Sequence, residues 1–230
     1  MRSFSPVGLR SSFLLLLLCA PALARAATDP AHPAVRSGAS STAQAPAAAT
    51  RDTALFAGGC FWCLETAFEE RPGVLEAVSG YSGGRTVNPT YEDVNTHTTG
   101  HLETVMVVFD PRRTSYEKLL DLFWHSIDPT QADGQFCDRG NSYYSAVFWR
   151  TEAQRRAAEA SKQAIAASGV LKQPIVTPIR KAGPFYRAEE YHQDFWKKDP
   201  ERYRSYRLGC GRDARLKELW GDKAVVPLVH

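Results

Sequence analysis

One junction near the start of the folded region constrains the fold more than any other part of this sequence. Residues 53–57 (TALFA) form a short apolar run, which is typical of a buried strand. The segment GGCFWC follows at 58–63, and apolar residues at helical spacing continue it to residue 68. The sequence therefore predicts a strand that turns through two glycines into a helix beginning at Cys60.

The position of Cys60 favours a reactive thiol. A helix N-terminus carries roughly half a positive charge and several free N–H groups, and both stabilise a thiolate. Phe61 and Trp62 lie beside the sulfur in sequence, which indicates chemistry on a small apolar group. The alternative from this segment alone is a buried structural cysteine or one half of a disulfide.

Hydrophobic periodicity continues the strand and helix pattern along the chain. It predicts further strands over 74–81, 102–109, 145–149 and 175–179, and helices capped at Thr114 and Thr151 that run to about 127 and 169. Residues 184–230 show little periodicity, and we predict an irregular tail with short helices near 188–197 and 213–219. This order predicts an α+β fold, a ferredoxin-like two-layer sandwich with a mixed, largely antiparallel sheet.

The N-terminus has the pattern of a secretory signal peptide. Arg2 and Arg10 precede an apolar run at 13–18, and small residues lead to a cleavage site after Ala26. The run is too short to span a bilayer. We therefore predict export, to a periplasmic location. A lipid anchor on Cys19 is the competing interpretation, which the large leucine before it disfavours.

The remaining chain divides by composition. Residues 27–51 are rich in Ala, Ser, Thr and Pro, which predicts a flexible linker between the signal peptide at 1–26 and one domain at 52–230. The signal contains three arginines and no acidic residue, so its removal lowers the formal net charge from +3 to zero. We therefore predict no nucleic-acid binding and, because no later segment is long and apolar enough, no membrane span.

Two long polar loops, over 80–103 and 133–144, carry many side chains suited to chemistry. Glu103 lies early in an apolar strand. If its side chain faces inward, burial raises its pKa and keeps it protonated, as a general acid requires. An outward glutamate on a polar face is an equal alternative at this point.

Other side chains in and near these loops have weaker signals when each is taken alone. Tyr81 and Tyr143 are able to donate hydrogen bonds to a substrate oxygen, although single tyrosines are more often core or surface residues. Asp138, beside an arginine, is either an active-site residue or half of an ion pair. His101 and His192 are lone histidines, for which we favour structural roles.

Four cysteines remain after signal cleavage: Cys60, Cys63, Cys137 and Cys210. A zinc site requires two pairs with suitable spacing, and Cys137 and Cys210 are isolated from one another in sequence, so we predict no metal. An even number of cysteines in an exported protein also suggests disulfides. A domain of this length does not need them for stability, and redox chemistry is the more economical explanation.

Five motifs occur in an order that resembles the class A peptide methionine sulfoxide reductases. They are GCFW at 59–62, GYSGG at 80–84, NPTY at 88–91, GHLE at 100–103, and DRG at 138–140 leading to Tyr143. The resemblance covers about residues 53–200 and implies reduction of the S epimer of methionine sulfoxide, free or in proteins. It implies no metal or organic cofactor, and an external dithiol reductant such as thioredoxin or a thioredoxin-like donor.

The resemblance also implies the roles of the site residues. These are Cys60 as nucleophile, Glu103 as proton donor, Phe61 and Trp62 around the S-methyl group, Tyr81 and Tyr143 on the sulfoxide oxygen, and Asp138 in support of the pocket. Attack of the thiolate on the protonated sulfoxide then leaves a sulfenic acid, which a second thiol converts to a disulfide. We predict a monomer that repairs oxidised proteins.

This chain departs from the common family pattern in its cysteines. Many members have glycine at the position of Cys63 and carry resolving cysteines in the tail, whereas this chain has both Cys63 and a tail cysteine, Cys210, between two glycines. Cys60 therefore has two possible partners. We favour Cys63 as the resolving thiol with Cys210 in a second step, and we expect Cys137 to be a passive lining residue, with a redox role left open.

Two other functions are compatible with the cysteine pattern. The CFWC segment at 60–63 would also serve a thiol–disulfide oxidoreductase that acts on protein disulfides. A secreted binding domain held together by a bridge such as Cys60–Cys210 is the alternative without catalysis. Reduction of an insulin-like substrate would favour the former, and a disulfide resistant to mild dithiol the latter.

Overall fold

The computed structural model describes residues 50–227, and the predicted signal peptide and most of the predicted linker lie outside this range. The strands are β1 (Asp52–Gly58), β2 (Val74–Ser82), β3 (Leu102–Phe109), β4 (Gly134–Gln135), β5 (Asp138–Arg139), β6 (Ser145–Trp149), β7 (Ile179–Lys181) and β8 (Phe185–Arg187). The helices are α1 (Phe61–Phe68), α2 (Tyr91–Asn95), α3 (Tyr116–Trp124), α4 (Glu152–Ser168), α5 (Phe195–Lys198), α6 (Pro200–Gly209) and α7 (Arg212–Trp220). Within 50–227, none of these helices has the length and apolar character needed to cross a membrane.

Six strands form one mixed sheet in the order β7-β6-β1-β3-β2-β8, and β4 and β5 form a separate hairpin. All neighbours in the large sheet are antiparallel except β6 and β7. The prediction of a mixed α+β fold with a largely antiparallel sheet is confirmed, whereas the finer assignment to a ferredoxin-like sandwich stays a prediction. Strand β1 lies near the centre, so the chain enters α1 from the middle of the sheet.

The main core lies between the central strands and the helices α1 and α3. The ring of Phe56 on β1 is fully buried and stacks against Phe68 of α1 and against Phe123 and Tyr116 of α3, at centroid distances of 5.3, 4.9 and 6.1 Å. Alternate residues of β3, among them Val105 and Val107, join the same cluster. This aromatic packing attaches α1, and with it the GGCFWC segment, to a rigid sheet.

Replacement of Phe56 by alanine is expected to destabilise the fold by about 3–5 kcal/mol, because it removes a fully buried ring and leaves a cavity between three other rings. Urea unfolding followed by circular dichroism measures the loss. A control, Leu208→Ala on the exposed surface of α6, is expected to change stability by less than about 0.5 kcal/mol. Equal effects of the two substitutions would contradict this description of the core.

Local sequence signals predict several boundaries correctly. The predicted strands at 102–109 and 145–149 coincide with β3 and β6. Helix α4 begins after Thr151, whose hydroxyl accepts the Gln154 N–H at 3.2 Å, and it ends at the left-handed Gly169. The cap of α3 is wrong by one residue, because Ser115 and not Thr114 accepts the hydrogen bond.

The predicted strand at 175–179 is wrong. This segment is bounded by Pro174 and Pro178, which have no N–H to donate to a sheet ladder, and the pairing with β6 is formed by β7 just downstream. The Val176 N–H donates instead to the carbonyl of Pro129 at 2.8 Å. The prediction of an irregular tail is not confirmed either, since most of residues 195–220 form helices α5, α6 and α7.

Candidate active site

The turn between β1 and α1 places the Cys60 thiol at the N-terminus of α1. Gly59 has a positive φ of 78°, and a Cβ atom there would lie 2.5 Å from the Cβ of Gln135. Only glycine therefore fits this turn without displacement of the neighbouring hairpin. Cys60 is the residue before the first turn of the helix, and its carbonyl accepts the N–H groups of Cys63 and Leu64.

A small cavity of about 60 Å³ opens beside Cys60. Pockets for drug-sized ligands have volumes of about 300–1,000 Å³, so this space suits a much smaller group. Its lining comes from widely separated parts of the chain, namely Cys60, Phe61, Trp62, Tyr91, Glu103, Asp138, Tyr143 and Tyr206. The fold thus brings together six of the residues that the sequence singles out, and adds two tyrosines.

Glu103 faces inward on β3 and is 2% exposed. Its Oε2 accepts the backbone N–H of Phe61 at 2.8 Å, which fixes the carboxyl group beside the start of α1. Burial raises the pKa of Glu103 to about 8, and the nearby Asp138 and Cys63 act in the same direction. The side chain is therefore protonated at neutral pH, as a proton donor must be.

The two thiols of the CFWC segment are buried and reduced. Burial raises the pKa of the Cys60 thiol well above its ordinary value, and the neighbouring Cys63 raises it further. In Cys63 the hydrogen bond with Cys60 lowers the pKa to about 6, against the opposing effect of burial and with support from Arg212 and Arg207. Of the two thiols, Cys63 is therefore the more readily ionised, whereas the helix N-terminus alone indicates a thiolate at Cys60.

Trp62 is held in place by contacts with the C-terminal segment. Its indole N–H donates to Nδ1 of His192 at 3.1 Å, and its ring stacks on Phe195 with centroids 3.7 Å apart. The His192 ring also lies 4.9 Å from that of Phe61. Burial lowers the pKa of His192 to about 4, so the imidazole is neutral and able to accept this hydrogen bond. The structural role expected for His192 is therefore to hold Phe61 and Trp62, the aromatic side of the cavity, in position.

The polar side of the cavity contains Asp138 and three tyrosines. Asp138 accepts a hydrogen bond of 2.5 Å from the hydroxyl of Tyr206, and burial raises the pKa of this carboxyl group. Tyr91 and Tyr143 line the same space. Tyr81 lies behind Phe61, with ring centroids 5.9 Å apart, and its hydroxyl donates to Glu189 at 2.8 Å.

Tyr91 and Tyr206 are the two lining residues that sequence reasoning misses. Tyr91 carries one signal, since it ends the NPTY motif at 88–91. Tyr206 carries none, because it lies in the tail, where periodicity is weak, and α6 brings it to the cavity only through tertiary packing.

Cys137 and Cys210 form a disulfide, with their Cα atoms 5.0 Å apart. The hairpin of β4 and β5 carries Cys137, and Cys210 follows the last residue of α6. The expectation that Cys137 is a passive residue of the pocket lining is therefore wrong, because the residue is exposed and bonded to Cys210. The two cysteines are 73 residues apart, and no local pattern indicates that they meet.

Comparison with known proteins agrees with this site. Residues 52–224 match the family described as peptide methionine sulfoxide reductase. Relatives named peptide methionine sulfoxide reductase MsrA from Bacillus licheniformis and Bacillus subtilis are each 56% identical over 173 residues, which cover 75% of this chain and 96% and 98% of theirs.

Two solved structures share the fold. Methionine sulfoxide reductase A of Corynebacterium diphtheriae has a TM-score of 0.57 at 33% identity, over 65% of this chain and 76% of that one. Reduced Mxr1 from Saccharomyces cerevisiae has a TM-score of 0.61 at 27% identity, over 67% of this chain and 88% of that one. This chain belongs to the peptide methionine sulfoxide reductase family and is an oxidoreductase that reduces methionine sulfoxide through thiol chemistry.

Proposed function

We propose that this protein reduces the S epimer of methionine sulfoxide, free and in oxidised proteins, with Cys60 as nucleophile and Glu103 as proton donor. One observation carries the proposal: the Cys60 thiol and the protonated, buried Glu103 line the same cavity, which suits a small group. A methylsulfinyl group has this size. Its oxygen requires a proton, and its sulfur requires a nucleophile.

The first step transfers the oxygen atom from substrate to enzyme. Cys60 attacks the sulfoxide sulfur as a thiolate while Glu103 protonates the sulfoxide oxygen, so that a sulfur–sulfur contact forms as the S–O bond weakens. The hydroxyl oxygen then transfers to the Cys60 sulfur: a new S–O bond forms there as the substrate S–O bond and the transient sulfur–sulfur bond break, which releases methionine and leaves Cys60 as a sulfenic acid. The substrate sulfur gains two electrons and the Cys60 sulfur loses two. The proton of the Cys60 thiol leaves through the neighbouring Cys63, which is hydrogen-bonded to it.

The remaining lining residues orient the substrate. Phe61 and Trp62 provide the apolar surface for the S-methyl group, and His192 keeps the indole in position. Tyr143 and Tyr91 lie on the polar side, where their hydroxyl groups are suited to the sulfoxide oxygen. The direct role predicted for Tyr81 stays a prediction, since its hydroxyl already donates to Glu189.

We propose that Cys63 resolves the sulfenic acid. As a thiolate it attacks the Cys60 sulfur, the S–S bond forms, and the hydroxyl group leaves as water after accepting a proton. The hydrogen bond between the two thiols and their position in the first turn of α1 support this assignment.

In the second step, with the Cys137–Cys210 pair reduced, the Cys210 thiolate would attack the Cys60–Cys63 disulfide. Cys137 would then displace the mixed disulfide, which forms the Cys137–Cys210 bond and leaves Cys60 and Cys63 as thiols. Cys60 and Cys63 are buried, at 6% and 1% exposure, so a protein reductant has no direct access to their disulfide. The Cys137–Cys210 pair lies at the surface, and Cys210 is flanked by Gly209 and Gly211, which permit local rearrangement. An external dithiol of thioredoxin type would then regenerate the enzyme at this exposed pair.

Replacement of Cys63 by serine is expected to leave one stoichiometric turnover and to lower steady-state turnover with a dithiol protein by about 10-fold or more, because the sulfenic acid persists. Trapping with a sulfenic-acid reagent, followed by peptide mass spectrometry, identifies Cys60 as the oxidised residue. Cys137→Ser serves as the control for loss of an exposed cysteine, and it is expected to form the Cys60–Cys63 disulfide normally. Full steady-state turnover of the Cys63 variant would assign resolution to Cys210.

A thiol–disulfide oxidoreductase is the second candidate, favoured by the lowered pKa of Cys63 in a Cys-x-x-Cys segment at a helix start. The burial of both sulfurs under Phe61 and Trp62 disfavours it, since a protein disulfide is larger than the cavity.

We also propose that residues 1–26 direct export to the periplasm and that the mature enzyme is a monomer that repairs exported proteins. The basic start and apolar run of the N-terminus support export. The N-terminal sequence and mass of the enzyme recovered from the periplasmic fraction test this proposal, and a cytoplasmic, uncleaved product would contradict it.

A further inference from the structure

Two buried arginines from the C-terminal helices approach the Cys63 end of α1. Arg207 of α6 is 4% exposed and Arg212 of α7 is 2% exposed. The neighbouring Cys60 lowers the pKa of the Cys63 thiol most, and the positive charges of Arg212 and Arg207 lower it further. Arginine remains charged when buried, and a buried charge is costly unless an anion or a set of hydrogen bonds compensates it.

In the described part of the chain, the hydrogen-bond partners of Arg212 include no carboxylate, and Asp138 interacts with its charge only from beyond salt-bridge distance. The guanidinium donates to the carbonyl oxygens of Gly58 and Ser126 at 3.0 and 2.9 Å and lies over the ring of Phe136 at 4.3 Å. Within residues 50–227, no carboxylate forms a salt bridge with it. Carbonyl groups and a ring satisfy its geometry but supply no net negative charge, so this buried cation favours an anion nearby.

Arg207 has hydrogen-bond partners for its two terminal nitrogens but none for Nε among the described residues. One terminal nitrogen binds Asp213 at 2.5 Å and the other donates to the Tyr203 hydroxyl at 3.3 Å. Its Nε is buried and has no ordinary hydrogen-bond partner among the described residues. Tyr203 packs directly against Cys63, so this face of α6 lies next to the Cys63 sulfur.

We propose that Arg207 and Arg212 hold Cys63 as a thiolate in the resting enzyme and thereby prime it to attack the Cys60 sulfenic acid. This inference rests on the proposed role of Cys63 in resolution. The arginines act as positioning residues, since their positive charge acts on the resolving thiol and neither of them lines the cavity beside Cys60. The C-terminal helices would then have a chemical function, namely to add two full positive charges to the partial charge of the α1 N-terminus.

The charge on Cys63 depends on groups from every element packed against it. These are Cys60 on α1, Glu103 on β3, Tyr203, Tyr206 and Arg207 on α6, and Arg212 on α7, with Asp213 behind Arg207. Glu103 is protonated and the tyrosines are neutral at pH 7, because burial raises the pKa of each. The two arginines, with Asp213 behind Arg207, are therefore the charged groups on this side of Cys63, and they add to the larger effect of Cys60.

The test measures the Cys63 thiolate directly, in the full chain carrying Cys19→Ser and Cys60→Ser with the Cys137–Cys210 disulfide intact. Cys63 is then the one reduced thiol in the sequence, and its ultraviolet thiolate absorbance is followed against pH. We expect a midpoint well below the ordinary value of about 8.5. Arg207→Met is expected to raise the midpoint by about one pH unit, which is a loss of about 10-fold in thiolate at pH values well below the midpoint. Arg207→Lys, which keeps the positive charge, is expected to restore much of the lost thiolate.

Asp213→Asn provides a second variant for the case in which Arg207→Met fails to fold. The substitution removes the carboxylate that competes for Arg207, and it is expected to lower the midpoint of Cys63 further. A midpoint near the ordinary cysteine value in the parent protein would overturn the proposal. An unchanged midpoint in Arg207→Met would also overturn the proposal. If Arg207→Met is unfolded, an unchanged midpoint in Asp213→Asn would overturn it.

A kinetic measurement separates this proposal from a merely structural role. In the chain that retains Cys60, Arg207→Met is expected to slow formation of the Cys60–Cys63 disulfide about 10-fold at about pH 6.5, and to recover towards the parent rate near pH 9 as Cys63 ionises. A deficit independent of pH would overturn the proposal. The titration needs no substrate, so failure of the parent enzyme to reduce a sulfoxide would count against the proposed function alone.

Discussion

Replacement of Cys60 by serine is expected to reduce methionine sulfoxide turnover by at least about 10³-fold, the largest effect of any single substitution. A serine hydroxyl at this position is not ionised at neutral pH and does not form the oxidised intermediate that accepts the oxygen atom. The fold is expected to persist, since serine is smaller and Cys60 belongs to a turn fixed by Gly59 and by the backbone of α1. Methionine release, measured by chromatography after a single turnover, checks the prediction.

Cys63→Ser is the matched control for this experiment, because it removes the neighbouring buried thiol and leaves the nucleophile. It is expected to release one equivalent of methionine where Cys60→Ser releases none. Release of a full equivalent of methionine by Cys60→Ser would exclude Cys60 as the nucleophile and would indicate Cys63 instead.

Replacement of Glu103 by glutamine is expected to lower the rate of reduction by about 10²–10⁴-fold, the usual contribution of a positioned general acid. Glutamine keeps the shape of the side chain and the acceptor for the Phe61 N–H, so it removes the proton and little else. In the parent enzyme, the rate should fall as the pH rises through about 8, where Glu103 loses its proton. The variant should not show this fall in rate at alkaline pH. A fall that persists unchanged in the variant would mean that a group other than Glu103 titrates there.

The same carboxyl group couples stability to pH. Its pKa in the folded state, about 8, lies above the ordinary value of 4.5, so the folded protein binds the proton more tightly than the unfolded chain. Stability from this group is therefore complete below about pH 4.5 and is lost as the pH rises to 8. Because each pH unit between these two values costs about 1.4 kcal/mol, Glu103→Gln is expected to stabilise the protein by a few kcal/mol near pH 8.5 and to have little effect at about pH 4. Chemical denaturation at the two pH values measures the difference.

The parts of the fold that sequence analysis predicts well are those set by local rules. Strand β3 alternates and is rich in valine, and α4 has a cap residue at Thr151 and a terminating glycine at 169. Motifs identify the cluster of Cys60, Phe61 and Trp62 with Glu103, and β1 and β3, which are adjacent in the sheet, bring these residues together.

The parts that sequence analysis misses depend on contacts between distant segments. The helices of the tail have weak periodicity because their stability comes from packing, as where Tyr203 and Phe195 pack around Cys63. Their placement brings Tyr206 to the cavity and Cys210 to Cys137. It also accounts for the difference between the two thiols, since burial raises the pKa of Cys60, whereas Cys60 and the two arginines lower the pKa of Cys63.

The most direct test of the central claim is the reduction of a methionine sulfoxide peptide whose two sulfoxide epimers have been separated, with excess dithiol and the purified protein. The cavity presents the acid, Glu103, and the apolar wall of Phe61 and Trp62 in one fixed arrangement around Cys60. One fixed arrangement favours one epimer, and the resemblance to the class A reductases implies that it is the S epimer. The account therefore predicts turnover of the S epimer and none of the R epimer. Turnover of the R epimer, or of neither epimer while a protein disulfide is reduced, would contradict it.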